Sequence, residues 1–305
     1  MRRIRKIEFI NVSKNLKSEH GIDNLNFAVK EKSIYALYGR DRESLSTTLK
    51  LAAGLVRPDY GDIKLFGEKL QKKNPTLLNN VGVLLEPPAF YGNLSVEDNL
   101  RVLELLRPKQ KINMVDDVMK QVDIYKFRTQ KANTLDLERK KRLGLASALM
   151  HNPELLILND PFSGFDSNGI KEISLLFQNL CNDYGKTIFL SSYNLNEVES
   201  IADCIGYMEH RNLIQEFLKK EREEINQQYI CVVADNVSSI IPILERNLKI
   251  NQFDVVNDEM LKIYESDRDS GDINRCLNQK GIIVKEIYLH KGTLQEYLNY
   301  IGRGQ

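Results

Sequence analysis

The chain has 305 residues, enough for one large α/β domain and a smaller second one. Its formal net charge of +1 lacks the basic surplus that marks nucleic-acid binding, so we expect no nucleic-acid partner. No apolar run approaches the roughly 18 residues of a membrane-spanning helix, and the basic start resembles no signal peptide. Four widely spaced cysteines form no C-x-x-C pair, and we expect reduced, mostly buried thiols in a cytosolic protein.

The first third of the chain predicts strands followed by a helix. Residues 7–12 and 25–29 alternate in the manner of exposed edge strands. Residues 33–38 form an apolar run that predicts a buried strand. Residues 46–54 begin like a helix and end at a glycine, so we expect a strand, a loop and a helix in that order.

The loop between this strand and helix, residues 39–47, reads G-R-D-R-E-S-L-S-T. A phosphate-binding loop needs the same context with the pattern G-x-x-x-x-G-K-[ST]. Here Gly39 and Ser46 keep their places, whereas Ser44 replaces the second glycine and Leu45 replaces the lysine. The frame of a phosphate site is therefore present without its main phosphate ligand.

The replaced loop residues change what the segment can bind. Glycines let backbone N–H groups approach phosphates, and the lysine neutralises them. Leu45 donates no hydrogen bond, and the two arginines of the loop alternate with two acidic residues, so we favour a solvated, neutral surface loop. Ser46 and Thr47 are candidate contacts for a magnesium ion, but capping of the helix explains both.

Further strands and helices alternate up to about residue 225. Apolar strands separated by helices predict a mostly parallel sheet. The strand candidates are 81–85, 155–158, 188–191 and 204–208, and helical spacing occurs at 94–107, 115–122 and 143–150.

Three later segments carry a family resemblance. Residues 155–166 read L-L-I-L-N-D-P-F-S-G-F-D and resemble the Walker B strand and D-loop of ABC-transporter ATPases. Residues 135–144, L-D-L-E-R-K-K-R-L-G, stand where that family carries its signature motif, and residues 191–199 resemble its switch segment. The resemblance runs in register over roughly residues 6–225.

Residues 86–91, E-P-P-A-F-Y, lie at the Q-loop position and most resemble the bacitracin- and lantibiotic-resistance branch, which often has glutamate there. The resemblance implies a P-loop NTPase-like α/β fold with a mostly parallel sheet and a helical subdomain. It also implies ATP and Mg²⁺ as cofactors, and a head-to-tail dimer with a second ABC ATPase subunit. Finally, it implies a membrane permease that holds the chain at the inner face of the cell membrane.

The same resemblance assigns the permease contact to Glu86, Phe90 and Tyr91. Two prolines stiffen this loop, and aromatic residues are enriched in interface hot spots. Tyr91, with its polar tip, is the better interface candidate. For Phe90, packing beneath the loop is nearly as good an explanation.

The family's catalytic positions are also altered. Asn159 replaces the aspartate that binds Mg²⁺, and Asp160 replaces the catalytic glutamate with a carboxylate one methylene shorter. Tyr193 replaces the switch histidine. Glu86, Ser46 and Asn159 are the candidate Mg²⁺ ligands. Polar residues at the end of a buried strand, and an aromatic packing role for Tyr193, explain these positions without nucleotide.

The signature position carries negative charge. Asp136 stands at the family's serine and Glu138 at a glycine, where two carboxylates would repel the partner's nucleotide. Acidic residues are also favourable at a helix start, so Asp136 has a structural explanation as a cap. We expect the charge runs 138–142 and 219–224 to be solvated helix faces.

After residue 225 the pattern changes to short strands and helices at close spacing. We therefore expect an ABC ATPase-like domain over residues 6–225 and a small C-terminal α+β domain over residues 226–305. The charged segment 216–224 would join them.

Three functions fit these observations. The first is an active transporter ATPase with unusual motifs, and the second is a degenerate subunit paired with an intact ATPase. The third is a non-catalytic module kept for binding. We expect an ATP-binding-subunit homologue of an antibiotic or lantibiotic peptide transporter with impaired or absent hydrolysis. The alternative is a pseudo-ATPase that serves as a structural or regulatory partner of an active ATPase subunit and a permease.

Overall fold

A computed structural model describes residues 5–16, 21–71, 73–106, 114–226, 228–264 and 269–301. The chain divides into two compact units between Leu218 and Lys219. In chain order the larger unit contains β1 (Arg5–Asn15), β2 (Gly21–Lys30), β3 (Ile34–Gly39), α1 (Arg42–Ala52), β4 (Tyr60–Leu65), β5 (Glu68–Lys69), β6 (Val81–Leu84), α2 (Val96–Leu105), α3 (Met114–Gln121), α4 (Leu137–Leu149), β7 (Leu155–Asn159), α5 (Ser167–Asn182), β8 (Thr187–Ser192), α6 (Leu195–Glu199), β9 (Cys204–Glu209) and β10 (Asn212–Leu218).

A four-stranded antiparallel sheet in the order β2-β1-β4-β5 forms one layer of the larger unit. The alternating residues of β1 and β2 bury one face, including Ile7, Phe9 and Phe27, against the main core. The expectation of exposed edge strands was wrong for β1, which lies between β2 and β4. The alternation reflected a half-buried sheet face, which an internal strand also has.

The second sheet confirms the expected mostly parallel α/β architecture. Its order is β10-β9-β3-β8-β7-β6, and only β10 runs antiparallel to its neighbour. β3 lies between β9 and β8, strands that come much later in the chain. Strand order therefore reverses near β3, and ligands of open α/β sheets bind beyond the carboxyl ends of strands at such a point.

Three helices inserted between β6 and β7 form the expected helical subdomain. Ser95 caps α2 through its hydroxyl, which accepts the backbone N–H of Asp98 at 3.0 Å. Asp136 caps α4 by accepting the N–H of Arg139 at 2.9 Å, as predicted for an acidic residue at this helix start.

The smaller unit has a four-stranded antiparallel sheet with the order β12-β13-β11-β14. Two helical segments follow β11 and β13, which gives a β-α-β-β-α-β arrangement of the ferredoxin-like kind. Its own core includes Val232, Ile240 and Leu261. Its elements are α7 (Lys219–Ile225), β11 (Gln228–Ala234), α8 (Ile241–Ile243) continuing as a π-helical turn (Leu244–Leu248), β12 (Phe253–Val255), β13 (Met260–Ile263), α9 (Ser270–Gln279), β14 (Val284–Lys291) and α10 (Leu294–Ile301).

The cysteines and the helix lengths can be compared with what the sequence predicts. All four cysteines are free; Cys181 and Cys231 are buried, whereas Cys204 and Cys276 are only half-buried. Among the described residues, none of the helices has the length and apolar character required to cross a membrane.

Candidate nucleotide site

The predicted site residues gather at the carboxyl ends of the parallel strands. Gly39 ends β3, Asn159 ends β7, and Tyr193 directly follows β8. Glu86 lies two residues beyond the end of β6. The sheet thus brings together the residues of the P-loop, Walker B, Q-loop and switch positions.

Helix α1 begins earlier than predicted. It starts at Arg42, with Asp41 as its N-cap, so Ser46 and Thr47 lie inside the helix and do not cap it. The expected solvated loop over 39–47 is therefore wrong for most of its length. The Asp41 side chain supplies a strong cap, and an aspartate just before the first helical residue is the sequence signal that marks this helix start.

The Asp41 carboxylate occupies the position where the helix N-terminus presents its free donors. Its Oδ1 accepts the N–H groups of Glu43 at 3.0 Å and Ser44 at 3.3 Å. The Ser44 hydroxyl lies 2.5 Å from Asp41 Oδ2 and 2.5 Å from the carbonyl oxygen of Gly21. A phosphate bound here would need these same N–H groups.

Leu45, at the position of the family's lysine, points away from this surface. It is fully buried in the main core, and Thr47 is buried as well. Gly39 has a packing reason to remain glycine, because a Cβ there would lie 2.5 Å from the carbonyl oxygen of Met208 on β9. Packing thus explains the glycine at position 39.

Lys141 on α4 places an ammonium group inside the site. The side chain is fully buried, its Nζ donates to the carbonyl oxygen of Asp160 at 2.7 Å, and it forms an ion pair with Glu86. The Glu86 carboxylate also accepts the hydroxyl of Ser163 at 2.9 Å. Both contacts use the same carboxylate oxygen of Glu86, Oε1, and the side chain remains 32% exposed.

The prediction of a solvated helix face over 138–142 was wrong for its last two residues. Lys141 and Arg142 are both buried, and Arg142 is held by Glu138 and Glu172 at 2.9 and 2.7 Å. The apolar spacing of α4 does not predict this burial, because Glu172, Glu86 and the Asp160 carbonyl group come from distant parts of the chain.

The two Walker B positions are held by neighbouring backbone and hydroxyl groups. Asn159 Oδ1 accepts the hydroxyl of Ser191 at 2.9 Å, which agrees with a polar residue ending a buried strand. Asp160 has a positive φ of 46°, and its N–H lies 3.2 Å from both oxygens of Ser191. Burial, together with the charge of Glu86, raises the pKa of the Asp160 carboxyl to about 6, against the opposing effect of Lys141.

Tyr193 has the aromatic packing role that the sequence analysis favours, since it packs against the main core. The guanidinium of Arg42 lies over its ring at 4.4 Å from the centroid. Burial and the nearby Asp160 carboxyl raise the pKa of the Tyr193 hydroxyl to about 12. Arg42 is thus engaged in a cation–π contact at the switch position.

The two acidic signature residues are paired with arginines of their own helix. Asp136 forms an ion pair with Arg139 at 2.6 Å, and Glu138 with Arg142. Both carboxylates keep substantial exposure, at 53% and 34% of the side-chain surface. These contacts are all within the helical subdomain.

Several groups at the positions where the family binds a magnesium nucleotide are engaged with other protein groups. The Asp41 carboxylate accepts the N–H groups of Glu43 and Ser44, Leu45 lies in the core, and Glu86 Oε1 pairs with Lys141. Among the described residues there is also no cluster of three or more histidine, cysteine or acidic side chains suited to a metal ion.

The loop after β6 carries the two predicted contact aromatics. Tyr91 is 63% exposed, whereas Phe90 is half-buried. Both line a cavity of about 430 Å³ between this loop and helices of the helical subdomain. Its other walls include Leu103, Leu106 and His151.

Comparisons with known proteins agree with this geometry. Residues 22–163 match the family model described as ABC transporter. The chain is 31% identical over 299 residues to the bacitracin transport ATP-binding protein BcrA of Bacillus licheniformis, covering 98% of each chain. It is also 31% identical over 206 residues to the lantibiotic transport ATP-binding protein SrtF of Streptococcus pyogenes, covering 66% of this chain and 88% of the relative.

A solved structure supports the fold of the larger unit. A dimeric ATP-binding cassette in a post-hydrolysis state, bound to ADP and Pi, superposes with a TM-score of 0.64 at 20% identity. The match covers 70% of this chain and 98% of that one. The chain belongs to the ATP-binding proteins of the ABC transporter family.

Proposed function

We propose that this chain is the ATP-binding-subunit homologue of an ABC transporter for antibiotic or lantibiotic peptides, with impaired or absent ATP hydrolysis. The names of the bacitracin and lantibiotic relatives support the transport setting. The observation that carries the loss of hydrolysis is the closed N-terminus of α1. Asp41 takes the donors that would hold a phosphate, while Leu45 cannot leave the core without exposing apolar surface.

The positive charge at the site supports the same proposal. An ammonium ion from Lys141 lies beside Glu86 and the Asp160 carbonyl group, a position close to the family's metal and water ligands. A Mg²⁺ ion brought to Glu86 would have to displace or approach this buried cation, which costs electrostatic energy. The site thus already contains a buried positive charge, on Lys141, paired with the negative charge of Glu86.

Nucleotide binding and turnover test this proposal directly. Calorimetry with Mg²⁺ and ATP should show no saturable binding at about 1 mM ATP, the upper end of usual substrate affinities. Phosphate release should stay at background. A turnover of about 1 s⁻¹ that is lost in Asp160→Ala would overturn the proposal, because such a rate belongs to a working enzyme.

The alternative is a non-catalytic partner of an active ATPase subunit and a permease. The cavity beside Phe90 and Tyr91 favours a retained docking function, since its walls include the apolar residues Val83, Leu103 and the exposed Leu106. In this proposal the permease's cytoplasmic segment occupies the cavity, and the subunit works at the inner face of the membrane. The second ATPase subunit of the dimer would supply hydrolysis.

Co-purification with a co-expressed ABC permease tests the docking surface. We expect the Phe90→Ala/Tyr91→Ala double variant to lose most of the bound permease, because it removes two aromatic contacts. Tyr184→Ala is the matched control, since Tyr184 is 65% exposed elsewhere in the larger unit. Full retention by a folded double variant would remove this loop from the interface.

A further inference from the structure

The edge strand β14 of the smaller unit is unusually long for an unpaired strand. It spans eight residues and is the longest strand of its sheet, whereas β12, at the other edge, has three. Within the described part of the chain no strand pairs with the outer side of β14. Edge strands present free N–H and C=O groups, and proteins usually keep them short, charged or covered.

The side chains of β14 offer apolar surface to a partner. Leu289 is 61% exposed and Tyr288 is 42% exposed. Lys285 could discourage pairing, but its ammonium is held by Asp235 at 2.7 Å and Glu259 at 3.4 Å within its own unit. The strand therefore combines free backbone groups with exposed apolar side chains.

We propose that β14 pairs antiparallel with β14 of a second copy of this chain, so that two four-stranded sheets join into one of eight strands. The contact is isologous and closes on itself, which avoids open-ended assembly. With a two-fold axis perpendicular to the sheet, the core-facing sides of the two copies lie on the same side of the joined sheet. Residues that lie opposite each other must then belong to the same face of β14.

One register satisfies this rule with complementary side chains. Centred on Tyr288, it places Ile287 opposite Leu289 of the second copy, and the reverse, on the face that carries the core. On the other face it places Glu286 opposite His290 of the second copy, also twice; within its own chain His290 Nε2 already lies 3.1 Å from Glu296. Cross-strand apolar and acid–base pairs of this kind stabilise antiparallel sheets.

The neighbouring symmetric registers are worse. A register centred on Ile287 puts Lys285 opposite Leu289, and one centred on Leu289 puts Ile287 opposite Lys291. Each leaves an apolar side chain facing a charged one. The Tyr288 register also faces Lys285 with Lys291, but only at its ends, and it leaves no apolar side chain opposite a charged one.

Disulfide formation tests both the partner and the register. Two full-length single variants, Glu286→Cys and His290→Cys, are purified, mixed and oxidised. We expect a covalent dimer in the mixture and little in either variant alone, because directly opposite Cβ atoms lie about 4.5–5.5 Å apart, whereas the two cysteines of one variant are four residues out of register. The unmodified chain, treated in parallel, accounts for the native cysteines.

A sedimentation experiment adds a readout without engineered cysteines. Leu289→Lys should weaken self-association of the full chain by about tenfold or more, because it loses apolar contacts on both sides of the axis. Leu175→Lys is the matched control, since Leu175 is 58% exposed on α5. Circular dichroism verifies that both variants remain folded.

The outcomes separate cleanly. A cross-link in the mixture together with weakening by Leu289→Lys alone supports the pairing. A cross-link in either single variant alone, no cross-link in the mixture, or equal behaviour of Leu289→Lys and Leu175→Lys overturns it. Because the strand lies outside the nucleotide site, the result does not depend on whether ATP is bound or hydrolysed.

Discussion

Lys141 lies at the centre of the charge arrangement in the candidate site. Its ammonium group is fully buried and has only oxygen partners from Glu86 and Asp160. A buried ammonium is tolerated when it is hydrogen-bonded and paired, and removing it leaves the partners uncompensated. The stability of this region therefore depends on a residue for which the sequence predicts a solvated position.

Replacing Lys141 with methionine, which has a similar shape without charge, should destabilise the larger unit. We expect a loss of about 2–4 kcal/mol in the free energy of unfolding, measured by urea denaturation. Arg139→Met is the control on the same helix, with an expected change within about 0.5 kcal/mol because its ion pair is exposed. Equal losses in the two variants would show that the buried pair has no special role.

The raised pKa of Asp160 predicts a dependence of stability on pH. Its carboxyl binds a proton up to about pH 6 in the folded chain but only to about pH 4 when unfolded, so stability falls as pH rises through that interval. Asp160→Asn removes this loss. The difference in unfolding free energy between the variant and the parent should shift in favour of the variant by up to about 2 kcal/mol between pH 4 and pH 7.5.

Thermal unfolding of both proteins across pH 4–7.5 measures this effect. The parent curve should decline relative to that of Asp160→Asn mainly between pH 4 and 6. A constant difference between the two proteins over the whole range would mean that the carboxyl titrates normally in the folded chain.

The residue at which helix α1 begins determines which of its side chains face the core. Because the helix begins at Arg42, Leu45 falls on its core-facing side with Leu49 and Ala52. A loop that continued to residue 45 would leave the same position free to face solvent. The cap at Asp41 therefore fixes which side chains reach the site.

Restoring the family's lysine by Leu45→Lys should not restore nucleotide binding. The new ammonium would enter the apolar core without a partner, and we expect a loss of at least about 3 kcal/mol in unfolding free energy. Leu45→Met, which keeps an apolar side chain of similar volume, should cost under about 1.5 kcal/mol. Saturable ATP binding by a stable Leu45→Lys variant would contradict this orientation of α1.

Sequence patterns predicted the elements better than their contacts. The apolar runs of β7 and β8 and the cap at Asp136 follow from local residue order, and the structure has them. The pairing of Lys141 with Glu86, and of Asn159 with Ser191, joins residues that are 55 and 32 positions apart. Such partners depend on strand order, which spacing along one chain does not specify.

At the scale of the whole molecule, each unit has its own apolar core. The smaller one is built around Val232, Leu261 and Ile273, and all the members of this core lie within residues 219–305. A unit with a separate core and sheet has what independent folding requires. The exposed lysines 219 and 220 lie at the division between the units.

Limited trypsin digestion of the native chain should therefore cut first near residues 219–228. We expect the isolated fragment 219–305 to show mixed helix and strand signals by circular dichroism and a cooperative thermal transition. A fragment without secondary structure, together with a chain that resists cleavage at this division, would show that the two units fold only as one.

The Asp41 cap also affects how strongly dissolved anions can compete for the N-terminus of α1. The Asp41 carboxylate is covalently attached next to the N–H donors of α1 and accepts two of them. A tethered group acts at a high effective concentration, so a dissolved anion would need a higher concentration or affinity to replace it. Fluctuations in free phosphate or nucleotide are therefore expected to leave this helix end unchanged. Under the proposed pairing with an active ATPase subunit, the P-loop region of this chain would keep one state while that subunit binds and releases nucleotide.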